Sequence, residues 1–173
     1  IASCLVGSEM CIRDRNKPLI LMGSEHKHLI DYVHESAKED YENLASKYWP
    51  GALTIVIPAS AKQTAHLTSN DQTIGLRIPN SNIAQSLLRE TGPLLTSSAN
   101  ISGFKGSITA EGIALDFPSI KILGPIPWGK SSGKASTIIF WKNSGNWKLI
   151  REGEVIVTAV SYTHLTLPTI CSV

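Results

Sequence analysis

A cluster of hydroxyl and amide side chains follows a short apolar run in GPLLTSSANISG, residues 92–103. Thr96, Ser98 and Asn100 belong to this cluster. Ligands of α/β sheets bind in the crevice beyond the strand ends, where hydroxyls and backbone N–H groups can hold phosphate oxygens without a lysine. The same composition also suits an ordinary turn whose side chains bond their own backbone. Composition alone leaves both interpretations open.

Basic residues in or beside predicted strands are the second feature that could take part in ligand binding. Arg77 lies inside TIGLRIP, Arg151 ends WKLIR and Lys17 opens KPLILMGS. A guanidinium binds carboxylate or phosphate through two parallel hydrogen bonds. Strand alternation places Arg77 opposite its apolar neighbours, which slightly favours a simple outward-facing arginine. Arg151 and Lys17 have the same two interpretations, and Ser136 at a strand start commonly only ties down a turn.

The composition indicates one soluble domain. The chain has 173 residues, of which 42% are hydrophobic and 17% charged, enough to bury a core. A net charge of +2 is too small to indicate a nucleic-acid binder by itself. The apolar runs are too short for a membrane span, and no signal peptide is recognisable. The three cysteines lie at positions 4, 11 and 171, which predicts a cytoplasmic protein without a zinc site or a disulfide framework.

The two ends of the chain differ from its middle. CLVGSEMCIRDR near the start and VSYTHLTLPTI near the end have no sustained helical or strand period. Both resemble translated sequencing-library adapter, and such segments are excluded from fold reasoning. We therefore expect residues 1–15 and 158–173 to be non-native tails around a domain at residues 16–157, whose N-terminal strand is missing.

Strand and helix patterns alternate through the middle of the chain. Helical spacing is found in HKHLIDYVHES, KEDYENLASKYW, NSNIAQSLLRETG and TAEGIALDF, with Thr109 as N-cap of the last. Strand patterns are KPLILMGS, ALTIVIPA, TIGLRIP, PLLT, IKIL, STIIFW and WKLIREG, and KNSGN predicts a hairpin turn between the last two. This order predicts a single-domain α/β fold with a mixed parallel and antiparallel sheet.

Five segments, read in order, resemble one enzyme family. WPGALTIVIPA, TIGLRIP, GPLLTSSANISG, ASTIIF and LIREGEV are similar to the YrdC-type threonylcarbamoyl-adenylate synthases. The resemblance covers essentially the whole middle of the chain, and the segments are specific together although each alone is weak. It implies a YrdC-like twisted mixed sheet with flanking helices and a concave ligand cleft.

The resemblance also implies an activity and a set of site residues. The family makes threonylcarbamoyl-AMP and pyrophosphate from L-threonine, bicarbonate and ATP, the last with Mg²⁺, and the product feeds the modification of a tRNA adenosine. Partners would include tRNA or threonylcarbamoyl-transferase proteins, and no metal bound by the protein itself or discrete acid–base residue is implied. By resemblance, L-threonine would contact Arg77, Thr96 and Ser136, and ATP would contact Lys17, Thr73, Ser98, Asn100, Ser107 and Arg151.

The chain departs from the family pattern at its start. The family's Pro-Thr-Glu-Thr-x-Tyr-Gly-Leu segment and its Lys-x-Arg pair do not occur here, although Arg13 and Arg15 lie near the place of the pair. We therefore expect a chain that lacks part of both substrate sites. Two alternatives stay open: an RNA-binding module without catalysis, and the related domain of hydrogenase-maturation carbamoyltransferases, which normally belongs to a longer, cysteine-containing chain.

Overall fold

The computed structural model describes residues 20–61, 72–99, 107–122 and 132–157. Six strands in these ranges are β1 Ile20–Met22, β2 Leu53–Pro58, β3 Thr73–Arg77, β4 Leu94–Thr96, β5 Thr137–Asn143 and β6 Asn146–Arg151. The α-helices there are α1 Lys38–Tyr48, α2 Asn82–Thr91 and α3 Ala110–Asp116. None of the described helices has the length and apolar character needed to cross a membrane.

The six strands form one mixed sheet in the order β4-β1-β3-β2-β5-β6. The pairs β1–β3 and β2–β5 are parallel, whereas β1–β4, β2–β3 and β5–β6 are antiparallel. The predicted mixed α/β sheet in a single domain is thereby confirmed. The proposed boundaries at residues 16 and 157 stay a prediction, because residues 1–19 and 158–173 lie outside the described part of the chain.

The core lies against one face of this sheet. Ile55, Leu76 and Ile139 on the central strands β2, β3 and β5 are fully buried. Helix α1 covers this face with Tyr41 and Leu44, which belong to the same cluster. Burying an aliphatic or aromatic side chain of this size contributes about 1.5–3 kcal/mol. The strand register therefore places Ile55, Leu76 and Ile139 on the core face and Thr54, Val56 and Arg77 on the opposite face.

Tyr41 shows how the core accommodates a polar atom. Its hydroxyl donates to the His26 carbonyl at 2.8 Å, and its ring meets Trp49 edge-on at 5.7 Å between centroids. Burial raises the pKa of the Tyr41 phenol, because the charged form is penalised away from water. The hydroxyl is thus a permanent donor that ties α1 to the segment after β1.

The ends of the helices confirm the signals in the sequence. The Ser81 side chain accepts from the Ala84 N–H at 3.4 Å at the start of α2. Gly92, directly after that helix, has a φ of 76°, a conformation that glycine adopts without a side-chain clash. The Thr109 hydroxyl accepts from the Gly112 N–H at 3.1 Å and caps α3, as predicted.

The predicted hairpin between β5 and β6 is also confirmed. Its turn includes Gly145, whose φ is 69°. One carboxylate oxygen of Asp40, in the first turn of α1, accepts from Trp141 Nε1 at 2.7 Å and from the Gly145 N–H at 3.0 Å. Helix α1 and the hairpin are therefore joined by two hydrogen bonds to a single acidic side chain.

Two predictions on local structure are wrong. HKHLIDYVHES forms short 3₁₀ helices at His26–His28 and Ile30–Tyr32, not one α-helix. The reason is that Val33 makes an isolated antiparallel bridge with Ala59, which requires extended backbone at that point. In IKIL, residues 120–122 belong to neither helix nor strand. The Ile120 N–H donates instead to the Phe117 carbonyl at 3.1 Å in a turn after α3.

Candidate functional site

The face of the sheet opposite the core collects most of the predicted site residues. Arg77 pairs with Met22 of β1, and Ile20 pairs with Thr96 of β4. Directly paired residues have side chains on the same face, and positions two apart along a strand do so as well. We call this surface the arginine face and define it by Thr54, Thr73, Arg77, Thr96 and Arg151.

Arg77 lies at the C-terminal end of β3, half-buried on the arginine face. Its Nε donates to the Gly51 carbonyl at 3.1 Å. Gly51 in turn donates its N–H to the Ile78 carbonyl at 2.9 Å, so the WPG segment is tied to the end of β3. Among the described residues, no acceptor lies within hydrogen-bonding distance of the two Nη groups of Arg77. Within the described part of the chain, the guanidinium is therefore oriented through Nε, and its two Nη groups have no protein acceptor.

The electrostatics of this end of the sheet suit an anionic ligand. Burial lowers the pKa of the Arg77 guanidinium, and the Arg151 cation acts in the same direction, whereas the Glu154 carboxylate opposes them. Arginine nevertheless stays protonated in proteins. Neither guanidinium has an acidic side chain within ion-pair distance in the described ranges. In the described ranges, the two arginines therefore share one face of the sheet without an ion-paired carboxylate.

Ser136 and Arg151 are in direct contact at the same end of the sheet. Arg151 donates to the Ser136 carbonyl from Nε at 3.0 Å and from Nη2 at 2.8 Å. Arg151 Nη2 also donates to Ser136 Oγ at 3.0 Å. Ser136 Oγ lies 3.0 Å from the hydroxyl of the fully buried Thr54. A residue predicted to bind L-threonine and one predicted to bind ATP are therefore adjacent.

The segment after β6, which includes Gly153 and Glu154, packs against the backbone around Ser136 and restricts its position. A Cβ placed on Gly153 would meet backbone atoms of Ala135, Ser136 and Thr137. The Glu154 N–H donates to the Ala135 carbonyl at 3.1 Å. Close backbone approach of this kind requires a residue without a side chain.

The hydroxyl residues form a second group, toward the other end of the arginine face. Thr96 is half-buried, and its hydroxyl donates to the Ile20 carbonyl at 2.9 Å. Thr73 lies opposite Pro58 at the start of β3. Ser98 follows β4 by two residues and is exposed. Thr73 and Thr96 share the face with Arg77, and Ser98 follows Thr96 just beyond β4.

Ser107 is separate from this surface. It precedes α3, and its hydroxyl accepts from the Thr109 N–H at 3.4 Å, which is a local contact at the helix start. Lys17 and Asn100 lie outside the described residues. Their predicted contacts with ATP, like the contact predicted for Ser107, stay predictions.

One stretch matches the sequence motif of a phosphate-binding P-loop. GPIPWGKS at residues 124–131 fits GxxxxGK[ST], a motif that needs a strand before it and a helix after it. Residues 120–122 before this stretch are not a strand, and residues 132–136 after it are not a helix. The flanks therefore do not support a P-loop at this position.

Three neighbours of the arginines were not singled out from the sequence. Gly51 contributes only a backbone carbonyl, which no side-chain pattern indicates. Glu154 accepts from the Ser132 hydroxyl at 2.6 Å and lies within electrostatic range of Arg77. Thr54 does have a signal, because it is a polar residue inside the apolar run ALTIVIP. Groups of three or more His, Cys, Asp or Glu residues able to hold a metal ion do not occur in the described ranges.

Comparison with known proteins identifies the family. The Sua5/YciO/YrdC family model, described as "Telomere recombination", matches residues 9–153. The chain is 32% identical over 130 residues to a threonylcarbamoyl-AMP synthase of Bacillus subtilis (strain 168), covering 73% of this chain and 37% of that protein. It is 35% identical over 115 residues to the threonylcarbamoyl-AMP synthase of Yersinia pestis (strain Pestoides F). This match covers 64% of this chain and 60% of that protein.

A solved structure agrees with these matches. Sua5 of P. abyssi complexed with L-threonine superposes with a TM-score of 0.64 at 30% identity, covering 79% of this chain and 40% of that one. The chain thus spans between 37% and 60% of the length of the two curated relatives. The mixed sheet, the family match and these similarities agree, and the chain belongs to the Sua5/YciO/YrdC family.

Proposed function

We propose that this chain is the catalytic domain of an L-threonylcarbamoyladenylate synthase, a nucleotidyltransferase of the cytoplasm. It would form threonylcarbamoyl-AMP and pyrophosphate from L-threonine, bicarbonate and ATP, for the modification of a tRNA adenosine. The observation that carries the proposal is the arginine face, where the strand register places Arg77 and Arg151 on one side of the sheet together with hydroxyl side chains, one of which, Ser136, contacts Arg151.

The chemistry explains why such a surface suffices. The amine of L-threonine captures CO₂ as a carbamate, and a carbamate oxygen then attacks the α-phosphorus of ATP. The bond from that phosphorus to the bridging oxygen breaks, and pyrophosphate leaves with the electron pair. Little proton transfer is left to the protein in this step, so alignment of reactants and compensation of phosphate charge dominate.

The side chains divide this task by position. The free Nη fork of Arg77 suits the carboxylate of L-threonine, since two parallel N–H groups match two carboxylate oxygens. Ser136 and Thr96 would also contact L-threonine. Arg151, which is hydrogen-bonded to Ser136, would lie toward the phosphates of ATP. Thr73, Ser98, Ser107, Lys17 and Asn100 are the remaining proposed contacts of ATP.

Mg²⁺ would enter the site already bound by the phosphate oxygens of ATP. The described residues supply no cluster of acidic or histidine side chains that fits a protein-held ion. Arginines and hydroxyls instead suit the phosphate oxygens themselves. The protein would therefore bind the nucleotide and leave the ion to the phosphates.

Pyrophosphate release from ATP tests the proposal. A version of the domain that also carries the family's Pro-Thr-Glu-Thr-x-Tyr-Gly-Leu and Lys-x-Arg segments is expected to release pyrophosphate only when L-threonine and bicarbonate are both present, and omission of either serves as the control. Release that does not depend on L-threonine would contradict the proposal. Salt-sensitive binding of RNA without any turnover would favour an RNA-binding module instead.

Replacement of Ser98 by alanine is expected to weaken ATP binding about fivefold, corresponding to the loss of one hydrogen bond of about 1 kcal/mol. Ser97→Ala is the matched control, because the neighbouring serine is also exposed but is not a proposed ligand. The measurement is a calorimetric titration of ATP. Equal affinities of both variants and the unmodified chain would show that Ser98 is only a turn residue.

A further inference from the structure

We infer that Thr54 is a positioning residue that directs the proton of the Ser136 hydroxyl toward the bound ligand. The inference rests on the proposed function, because it takes L-threonine as the ligand of Ser136. Thr54 lies in β2 on the arginine face, where it pairs with Ile138. It is fully buried, and Ser136 is only 6% exposed.

The first step concerns the donor capacity of Thr54. A buried hydroxyl proton without an acceptor is destabilising, because the group has lost its hydrogen bonds to water. In the described part of the chain, the one acceptor recorded for the Thr54 hydroxyl is Ser136 Oγ, at 3.0 Å. The favourable arrangement is therefore the one in which Thr54 donates and Ser136 accepts.

The second step counts the bonds of Ser136. A serine hydroxyl has one proton and two lone pairs. One lone pair accepts from Thr54, and the other accepts from Arg151 Nη2 at 3.0 Å. Both lone pairs are then occupied, and with respect to the described residues the Ser136 proton is the hydrogen-bonding capacity that remains. The Ser136 hydroxyl must consequently act as a donor toward a ligand.

This donor role determines which ligand atoms can bind next to Ser136. A ligand atom next to Ser136 Oγ must be an acceptor, such as a carboxylate oxygen, and an ammonium group is disfavoured because it also only donates. Arg151 adds its positive charge at the same point. Thr54, which need not touch the ligand, would thus help to set the orientation in which L-threonine binds.

The test is the affinity for L-threonine of Thr54 variants of the full chain. Thr54→Val has nearly the same shape but no hydroxyl, and it is expected to weaken binding about 5- to 10-fold and to raise KM for L-threonine while kcat changes little. Thr54→Ser keeps the donor and is expected to restore binding to within twofold. A loss of thermal stability in Thr54→Val with unchanged binding would overturn the inference.

A double-mutant cycle separates this inference from the proposed function. If Thr54 acts only through Ser136, Thr54→Val has no further effect on binding in a Ser136→Ala background. A full additional loss in that background would overturn the inference. If Ser136→Ala itself binds L-threonine normally, or the unmodified chain does not bind it, the proposed function fails first and the inference fails with it.

A second variant serves if Thr54→Val does not fold. Thr54→Cys keeps a buried side chain of similar size with a weak donor. Its affinity for L-threonine is expected to lie between those of the unmodified chain and Ser136→Ala. An affinity equal to that of the unmodified chain would overturn the inference, because the strength of the donor at position 54 would then not matter.

Discussion

In a version of the domain that also carries the family's N-terminal segments, Arg77→Ala is expected to abolish L-threonine-dependent pyrophosphate release and to leave the fold intact. The free fork of Arg77 is the proposed partner of the substrate carboxylate. Each charge-assisted hydrogen bond contributes about 1.5–3 kcal/mol, so the loss of two, about 3–6 kcal/mol, lowers kcat/KM by roughly 100- to 20,000-fold. The cost in stability is smaller, because in the described structure Arg77 makes one bond, to the Gly51 carbonyl.

Two variants control this experiment. Arg89→Ala removes an exposed arginine on α2 that bonds only to Gln85 among the described residues, and it should retain full activity. Arg77→Lys keeps the charge but not the planar fork, so an intermediate activity is expected. Circular dichroism and thermal unfolding verify the fold of each variant. Unchanged turnover in Arg77→Ala would contradict the role of Arg77 as carboxylate clamp.

Gly153→Ala is expected to damage both stability and ligand binding. The added methyl group would meet the backbone of residues 135–137, which cannot rotate away as a flexible side chain would. Overpacking of this kind costs about 1–3 kcal/mol. Because Ser136 is part of that backbone and is held by Arg151, the shift should also reduce the affinity for L-threonine. Urea unfolding and calorimetric titration measure the two effects.

The neighbouring Glu152→Ala variant is the control for Gly153→Ala. Glu152 is exposed, and such substitutions usually change the free energy of unfolding by less than about 0.5 kcal/mol. If Gly153→Ala is as stable as Glu152→Ala and binds L-threonine normally, the segment after β6 does not hold Ser136 in place.

Much of the local structure is predictable from the sequence because it depends on local chemistry. The strands at 53–58 and 73–77 follow from alternating β-branched residues, and the caps of α2 and α3 follow from Ser81 and Thr109. The 3₁₀ helices after β1 are not predictable in this way. Their backbone responds to the bridge between Val33 and Ala59, which are far apart in the sequence.

The site illustrates the same limit. Strand alternation correctly places Arg77 on the face away from its apolar neighbours, and this favoured an ordinary surface arginine. Only the register of four strands shows that Thr54 and Arg151 share that face. The contact between Arg151 and Ser136 likewise depends on the pairing of β5 with β6. The types of the site residues are visible in the sequence, whereas their assembly is not.

The strand order has a consequence for folding. Among the six described strands, β5 and β6 are joined by a two-residue turn, whereas β1 pairs with β3 and β4, and β2 pairs with β5, across long stretches of chain. Such non-local pairings slow folding, because the chain loses the entropy of closing a long loop before the contacts that compensate this loss have formed. Arg77 ends β3 and Ser136 directly precedes β5, and these two strands are joined in the sheet by β2. Ligand affinity should therefore appear late in folding, when the central strands have paired, and no early hairpin would possess it.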